Sequence, residues 1–99
     1  MTRDEIIAEL RAREDRLKAL GATSLYMFGS RARGDNRPDS DLDLFIDWHE
    51  NSKRPSLLDL IAFENEFQDR AGVTVQLTLR EGLFPLVRAS AEREAVRIF

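Results

Sequence analysis

The chain has 99 residues, 42% of them hydrophobic, which suffices for one modest core and predicts one domain over residues 1–99. A formal charge of -3 spread over 33% charged residues lacks the clustered basic footprint of a nucleic-acid binder. The absence of cysteine removes disulfides, thiolate nucleophiles and cysteine metal sites and suits a cytoplasmic protein. No stretch approaches the roughly 20 apolar residues that span a bilayer, and the acidic start does not resemble a signal peptide.

Thr2 followed by Glu5 forms a capping box and predicts a helix over residues 3–20, with Ile6, Leu10, Leu17 and Leu20 on its inward stripe and Gly21 as its stop. The short apolar run 23–28 predicts a strand buried on both faces and ending at Gly29-Ser30. Residues 34–40 collect Gly, Asp, Asn, Pro and Ser and predict a loop. From Asp41 to Asp47 the sequence alternates, with Leu42, Leu44 and Ile46 on one face and Asp41, Asp43, Phe45 and Asp47 on the other, which predicts a second strand.

Ser56 with Asp59 caps a predicted helix over 57–70, whose inward stripe is Leu57, Leu60, Ile61 and Phe67 and whose stop is Gly72. Residues 73–79 alternate again and predict a third strand with Thr74, Gln76 and Thr78 on its polar face. Pro85 suits the first turn of a last helix, with Phe84, Val87, Ala91, Ala95 and Ile98 at helical spacing. The order α-β-β-α-β-α predicts an α+β fold: a small mixed β-sheet covered by helices mainly on one face.

The chemistry concentrates between Gly29 and Asp43. Two residues apart on a strand, Asp41 and Asp43 share a face with Cα atoms about 6–7 Å apart, so both carboxylates can converge on one hard cation such as Mg²⁺. Without a cation the pair would be costly, because desolvation and like charge both oppose ionisation. Separated from Asp41 by the ten residues 31–40 is the pair Gly29-Ser30, in which Gly29 permits close approach of a phosphate and the Ser30 hydroxyl with the following N-H groups can donate to it. Arg31, Arg33 and Arg37 add cationic donors; spacing does not decide which points inward, and Arg31 and Arg33 enter the candidate nucleotide-binding set. A calcium loop is excluded by the missing glycine and glutamate, and zinc by the lone His49 and absent cysteine.

Gly29-Ser30 through Asp41-Leu42-Asp43, with Tyr26-Met27-Phe28 and Ser40 around them, resembles the minimal nucleotidyltransferases (MNT) of the DNA polymerase beta superfamily, those of HEPN/MNT toxin-antitoxin modules in particular. The resemblance implies the nucleotidyltransferase fold, ATP as substrate, and magnesium. It implies Gly29 and Ser30 as the triphosphate-binding pair and Asp41 and Asp43 as the first two metal-binding, catalytic carboxylates. It also implies a HEPN-type toxin as partner, with AMP transferred to a tyrosine hydroxyl of that toxin.

One position departs from the pattern. The resemblance implies a third carboxylate on a later strand, within a run like Val-Asp-Leu, where this chain reads Val75-Gln76-Leu77. An amide is a neutral, weaker metal ligand and no general base. Asp47 lies about 13 Å beyond Asp43 along the strand, and spacing does not place Glu64 or Glu66. Two readings follow: a magnesium-dependent enzyme, or an impaired nucleotide-binding antitoxin that neutralises its partner by forming a complex. Oligomeric state stays open.

Overall fold

A computed structural model describes residues 1–99. The elements are α1 (Arg3–Arg11), α2 (Glu14–Ala19), β1 (Ala22–Phe28), α3 (Ser30–Arg33), β2 (Leu42–Trp48), α4 (Leu57–Ala71), β3 (Val75–Leu79), a 3-10 turn (Arg80–Gly82), α5 (Pro85–Glu94) and β4 (Val96–Arg97). Both capping boxes form. Thr2 Oγ1 accepts from the Glu5 N-H while Glu5 accepts from the Thr2 N-H, and Ser56 with Asp59 does the same at α4.

The helix expected over 3–20 is broken at Ala12 and Arg13. In an unbroken helix the Glu9 carbonyl would accept from the Arg13 N-H. Here the Arg13 guanidinium takes that carbonyl at 2.8 Å, and the Arg13 N-H turns to Leu10. The inward stripe survives, with Ile6, Leu10 and Leu17 buried. Gly21 closes this part at φ +115, and a Cβ there would lie 1.8 Å from the Lys53 carbonyl oxygen, so no other residue fits.

The sheet order is β3-β2-β1-β4. β1 pairs antiparallel with β2 and with β4, and α4 is the crossover that lets β3 lie parallel to β2. The helix-covered face carries Leu25 and Met27, Leu42, Leu44 and Ile46, and Val75, Leu77 and Leu79, packed with Ile6, Leu10, Leu17, Leu60, Phe63 and Phe67. The mixed sheet with helices against one face is the α+β architecture read from the element order. On the other face Phe45 is also fully buried, because Tyr26 stacks on it at 4.9 Å and the Arg80 guanidinium covers it at 4.8 Å.

Three expectations need correction. The buried stripe of α4 is Leu60, Phe63, Phe67 and Ala71, whereas Leu57 and Ile61 are exposed; at 3.6 residues per turn those two fall to one side of the sheet-facing row. Asp41 precedes β2 rather than opening it, and β3 starts at Val75. The last helix stops at Glu94, leaving Phe84 and Val87 exposed. Ala95 turns extended, Val96 and Arg97 pair with β1, and Ile98 donates to the Leu25 carbonyl at 2.8 Å. The open edge of β1 supplies backbone partners that a longer helix would forgo, and the β-branched residues Val96 and Ile98 fit a strand.

The outer edge of β3 is closed differently. Gln68 and Glu64 of α4 accept from the Val75 and Leu77 N-H groups at 2.9 and 2.8 Å, which satisfies the donors an edge strand would otherwise present. No helix is long and apolar enough to cross a membrane.

Candidate functional site

The strand register assembles the site. Phe28 pairs with Asp43, and Asp43 pairs with Gln76, so residues from three strands form one row on the face away from the helices. At the end of β1 the chain turns sharply through Gly29, at φ 76 and ψ -160, into α3, a short helix absent from the sequence reading. The first N-H groups of such a turn have no partner within it.

Gly29 also makes room for a side chain of the neighbouring strand. A Cβ at this position would lie 2.6 Å from Asp43 Oδ2, so the absence of a side chain lets the carboxylate rest against the backbone. Gly29→Ala combines that clash with a left-handed φ, and we expect a destabilisation of about 1–3 kcal/mol in chemical denaturation. A loss well under 1 kcal/mol would refute the close approach.

Asp43 is half-buried. Burial pushes its carboxyl above the ordinary range, the neighbouring Asp41 charge pushes the same way, and Arg33 opposes both. Asp41 Oδ2 accepts from Gln76 Nε2 at 2.9 Å, so Gln76 is a direct neighbour of the acidic pair. The ion pairs of this face belong to Arg33, with Asp35 and Glu94, and to Arg80, with Asp47 and Glu92, leaving Asp41 and Asp43 without one. Two adjacent carboxylates without an ion-pair partner, offering only oxygen donors, fit one hard divalent cation that completes its shell with water and phosphate.

No third acid or histidine joins the pair. Asp47 is held by Arg80 at 2.7 and 2.9 Å and by the Ser24 hydroxyl at 3.1 Å. Glu64 sits at the β3 edge, and Glu66 pairs with Arg13 and Arg16. His49 caps its own turn, its Nδ1 accepting from the Asn51 N-H.

The arginines separate. Arg31 is buried and donates to the carbonyls of Ser40 at 3.0 Å and Pro38 at 3.3 Å, pinning the loop that delivers Asp41. Arg33 is half-exposed and bound by Asp35 and Glu94. Arg37 is exposed, and its N-H donates to the Ser40 hydroxyl. Glu94 went unread from the sequence because only the placement of α5 brings it to Arg33.

A cleft of about 330 Å³ runs beside this row, lined by Phe28, Gly29, Arg33, Leu86, Val87 and Glu94 among others. A larger cavity, about 480 Å³, lies by Thr78, Leu79 and the start of α4, and no carboxylate lines it. The cleft, not the larger cavity, adjoins Asp43, since its lining Gly29 lies against that carboxylate.

Comparison with known proteins gives concordant results. The family profile described as nucleotidyltransferase domain matches residues 5–98. The protein adenylyltransferase MntA of Thermococcus cleftensis is 31% identical over 99 residues, 99% of this chain and 97% of that protein. A solved structure of a candidate minimal nucleotidyltransferase shares 33% identity at a TM-score of 0.78, covering 97% of this chain and 95% of that one. A toxin-antitoxin crystal structure with AMP-PNP matches at 13% identity and a TM-score of 0.68, over 87% of this chain and 72% of that one, a likeness of fold alone.

Proposed function

This chain belongs to the nucleotidyltransferase domain family, as a minimal nucleotidyltransferase of the DNA polymerase beta superfamily, and from that premise we propose that it transfers AMP from ATP to a hydroxyl of a HEPN-type partner toxin. The 99 residues act as one domain in this reading. The observation that carries it is the unpaired Asp41–Asp43 couple beside the Gly29–Ser30 turn. The similarity to a protein adenylyltransferase favours a protein as acceptor.

Each residue has a task. Ser30 and the N-H groups after Gly29 hold the triphosphate, and Arg33 adds positive charge at the cleft. Arg31 acts indirectly, by pinning the loop. Asp41 and Asp43 would hold Mg²⁺, which when bound neutralises phosphate charge and orients the reacting groups. The acceptor oxygen bonds to the α-phosphorus, the bond to the bridging β-phosphate oxygen breaks, and pyrophosphate leaves. Gln76 cannot take the hydroxyl proton, which must go to another oxygen base at the site or to solvent.

Incubation with ATP labelled in the α-phosphate, magnesium and the toxin of the neighbouring gene should label the toxin. The double variant Asp41→Asn/Asp43→Asn should not. No label from any of the four nucleoside triphosphates would sink the proposal.

A second reading rests on Gln76, whose amide occupies the neighbouring strand position and donates to Asp41. In it the protein captures nucleotide and neutralises the toxin by complex formation. Its mark is neutralisation that survives loss of both aspartates.

A further inference from the structure

Arg33 has more acceptors than its assigned task requires. Its Nε donates to Asp35 Oδ2 at 3.0 Å and its Nη1 to Glu94 Oε2 at 2.9 Å, while Nη2 has no partner. A guanidinium offers two forks to an anion, Nε with Nη2 and Nη1 with Nη2. Each fork here has one tine on a carboxylate. A phosphate that takes either fork therefore competes with Asp35 or Glu94 for a shared nitrogen.

Of the two, Glu94 is the one that lines the cleft. It is the last residue of α5, a ten-residue helix of which only Ala91 is buried. Polar ties hold α5: Arg33 to Glu94, Arg80 to Glu92 at 3.1 Å, and Arg88 to the carbonyls of Glu81 and Leu83 at 3.0 and 3.4 Å. With little apolar area buried, a helix shifts at low cost. Gly29 and Arg33 line the same cleft, so the Glu94 carboxylate would face an incoming triphosphate directly.

We propose that Glu94 competes with the triphosphate for Arg33, and so acts as a positioning residue that lowers and tunes the nucleotide affinity of the site. The inference rests on the reading of Gly29–Ser30 as the triphosphate pair. Nucleotide capture then exchanges one anion for another on Arg33 and breaks the tie between α5 and α3. The opposite role, in which Glu94 holds Arg33 in the orientation a phosphate needs, predicts the opposite sign for the same substitution.

Calorimetric titration of the full chain with magnesium ATP and with magnesium tripolyphosphate tests this. Glu94→Gln should bind both about two- to fivefold more tightly, the scale of an exposed ion pair. Glu92→Gln removes the other acidic tie of α5, to Arg80, without touching Arg33, and should leave affinity unchanged. The gain should vanish when Glu94→Gln is made in an Arg33→Ala background. Glu94→Ala should behave as Glu94→Gln does, which separates loss of the carboxylate from any local fault of the amide.

Equal or weaker binding by both Glu94 variants, an equal gain from Glu92→Gln, or a gain that persists without Arg33 would overturn the inference while leaving nucleotide binding standing. Failure of the unaltered chain and every variant to bind magnesium ATP would overturn the nucleotide reading, and the inference with it.

Discussion

Asp43→Asn should lower nucleotidyl transfer by about 10³-fold, the loss expected if several kcal/mol of metal-borne charge stabilisation disappears at about 1.4 kcal/mol per factor of ten. The substituted amide keeps the shape that rests against Gly29, so the fold is not the cause. A single-turnover assay with labelled ATP checks it; a loss under tenfold would remove Asp43 from the metal site.

The same variant makes a second, independent prediction about stability. Burial and Asp41 raise the folded carboxyl of Asp43 above its ordinary value of 3.8. The folded state therefore holds the proton more tightly than the unfolded state. That contribution is fully present below pH 3.8 and is lost as pH rises through the shifted value. An asparagine at this position does not titrate and loses nothing. In chelator, Asp43→Asn should melt higher than the unaltered chain at neutral pH, with the gap closing in acid. Magnesium should narrow the gap by relieving the carboxylate pair. A gap that widens in acid would show that another charge compensates Asp43.

Gln76→Asp tests the most consequential departure from the family pattern, and should raise transfer on the order of 10²-fold if the missing acid is what limits the chemistry. The structure places position 76 opposite Asp43 and in contact with Asp41, so a carboxylate there faces both. Without a divalent cation three acids crowd together, and the variant should melt below the unaltered chain. Magnesium should restore it, making its melting temperature steeply magnesium-dependent through binding to the folded state alone. A variant with neither a faster rate nor a new magnesium dependence would show that position 76 does not feed the metal site.

Much of this was legible from the chain because it is local. The capping boxes at Thr2 and Ser56 need only residues three apart. The period-two alternation in β2 and β3 sets Asp43 and Gln76 on their faces without reference to any contact. The illegible parts are contests between groups far apart or between side chain and backbone. Arg13 breaks the first helix by taking a carbonyl that the backbone N-H would have used. Arg31 and Arg33 look alike in sequence, yet one is buried against a loop and the other pairs with an acid 61 residues away.

The sequence by itself therefore determined the composition of the site: a flexible turn, a hydroxyl, two acids at strand spacing and an amide where a third acid is expected. Those follow from covalent spacing and the period of a strand, which the chain carries wherever it folds. Only the tertiary structure decided which charges are spent and which are free. Pairing of Phe28, Asp43 and Gln76 across three strands made the amide a partner of Asp41, and the return of the chain through α5 set Glu94 on Arg33. Electrostatic partnership depends on distance in space, and that distance exists only once the sheet has closed.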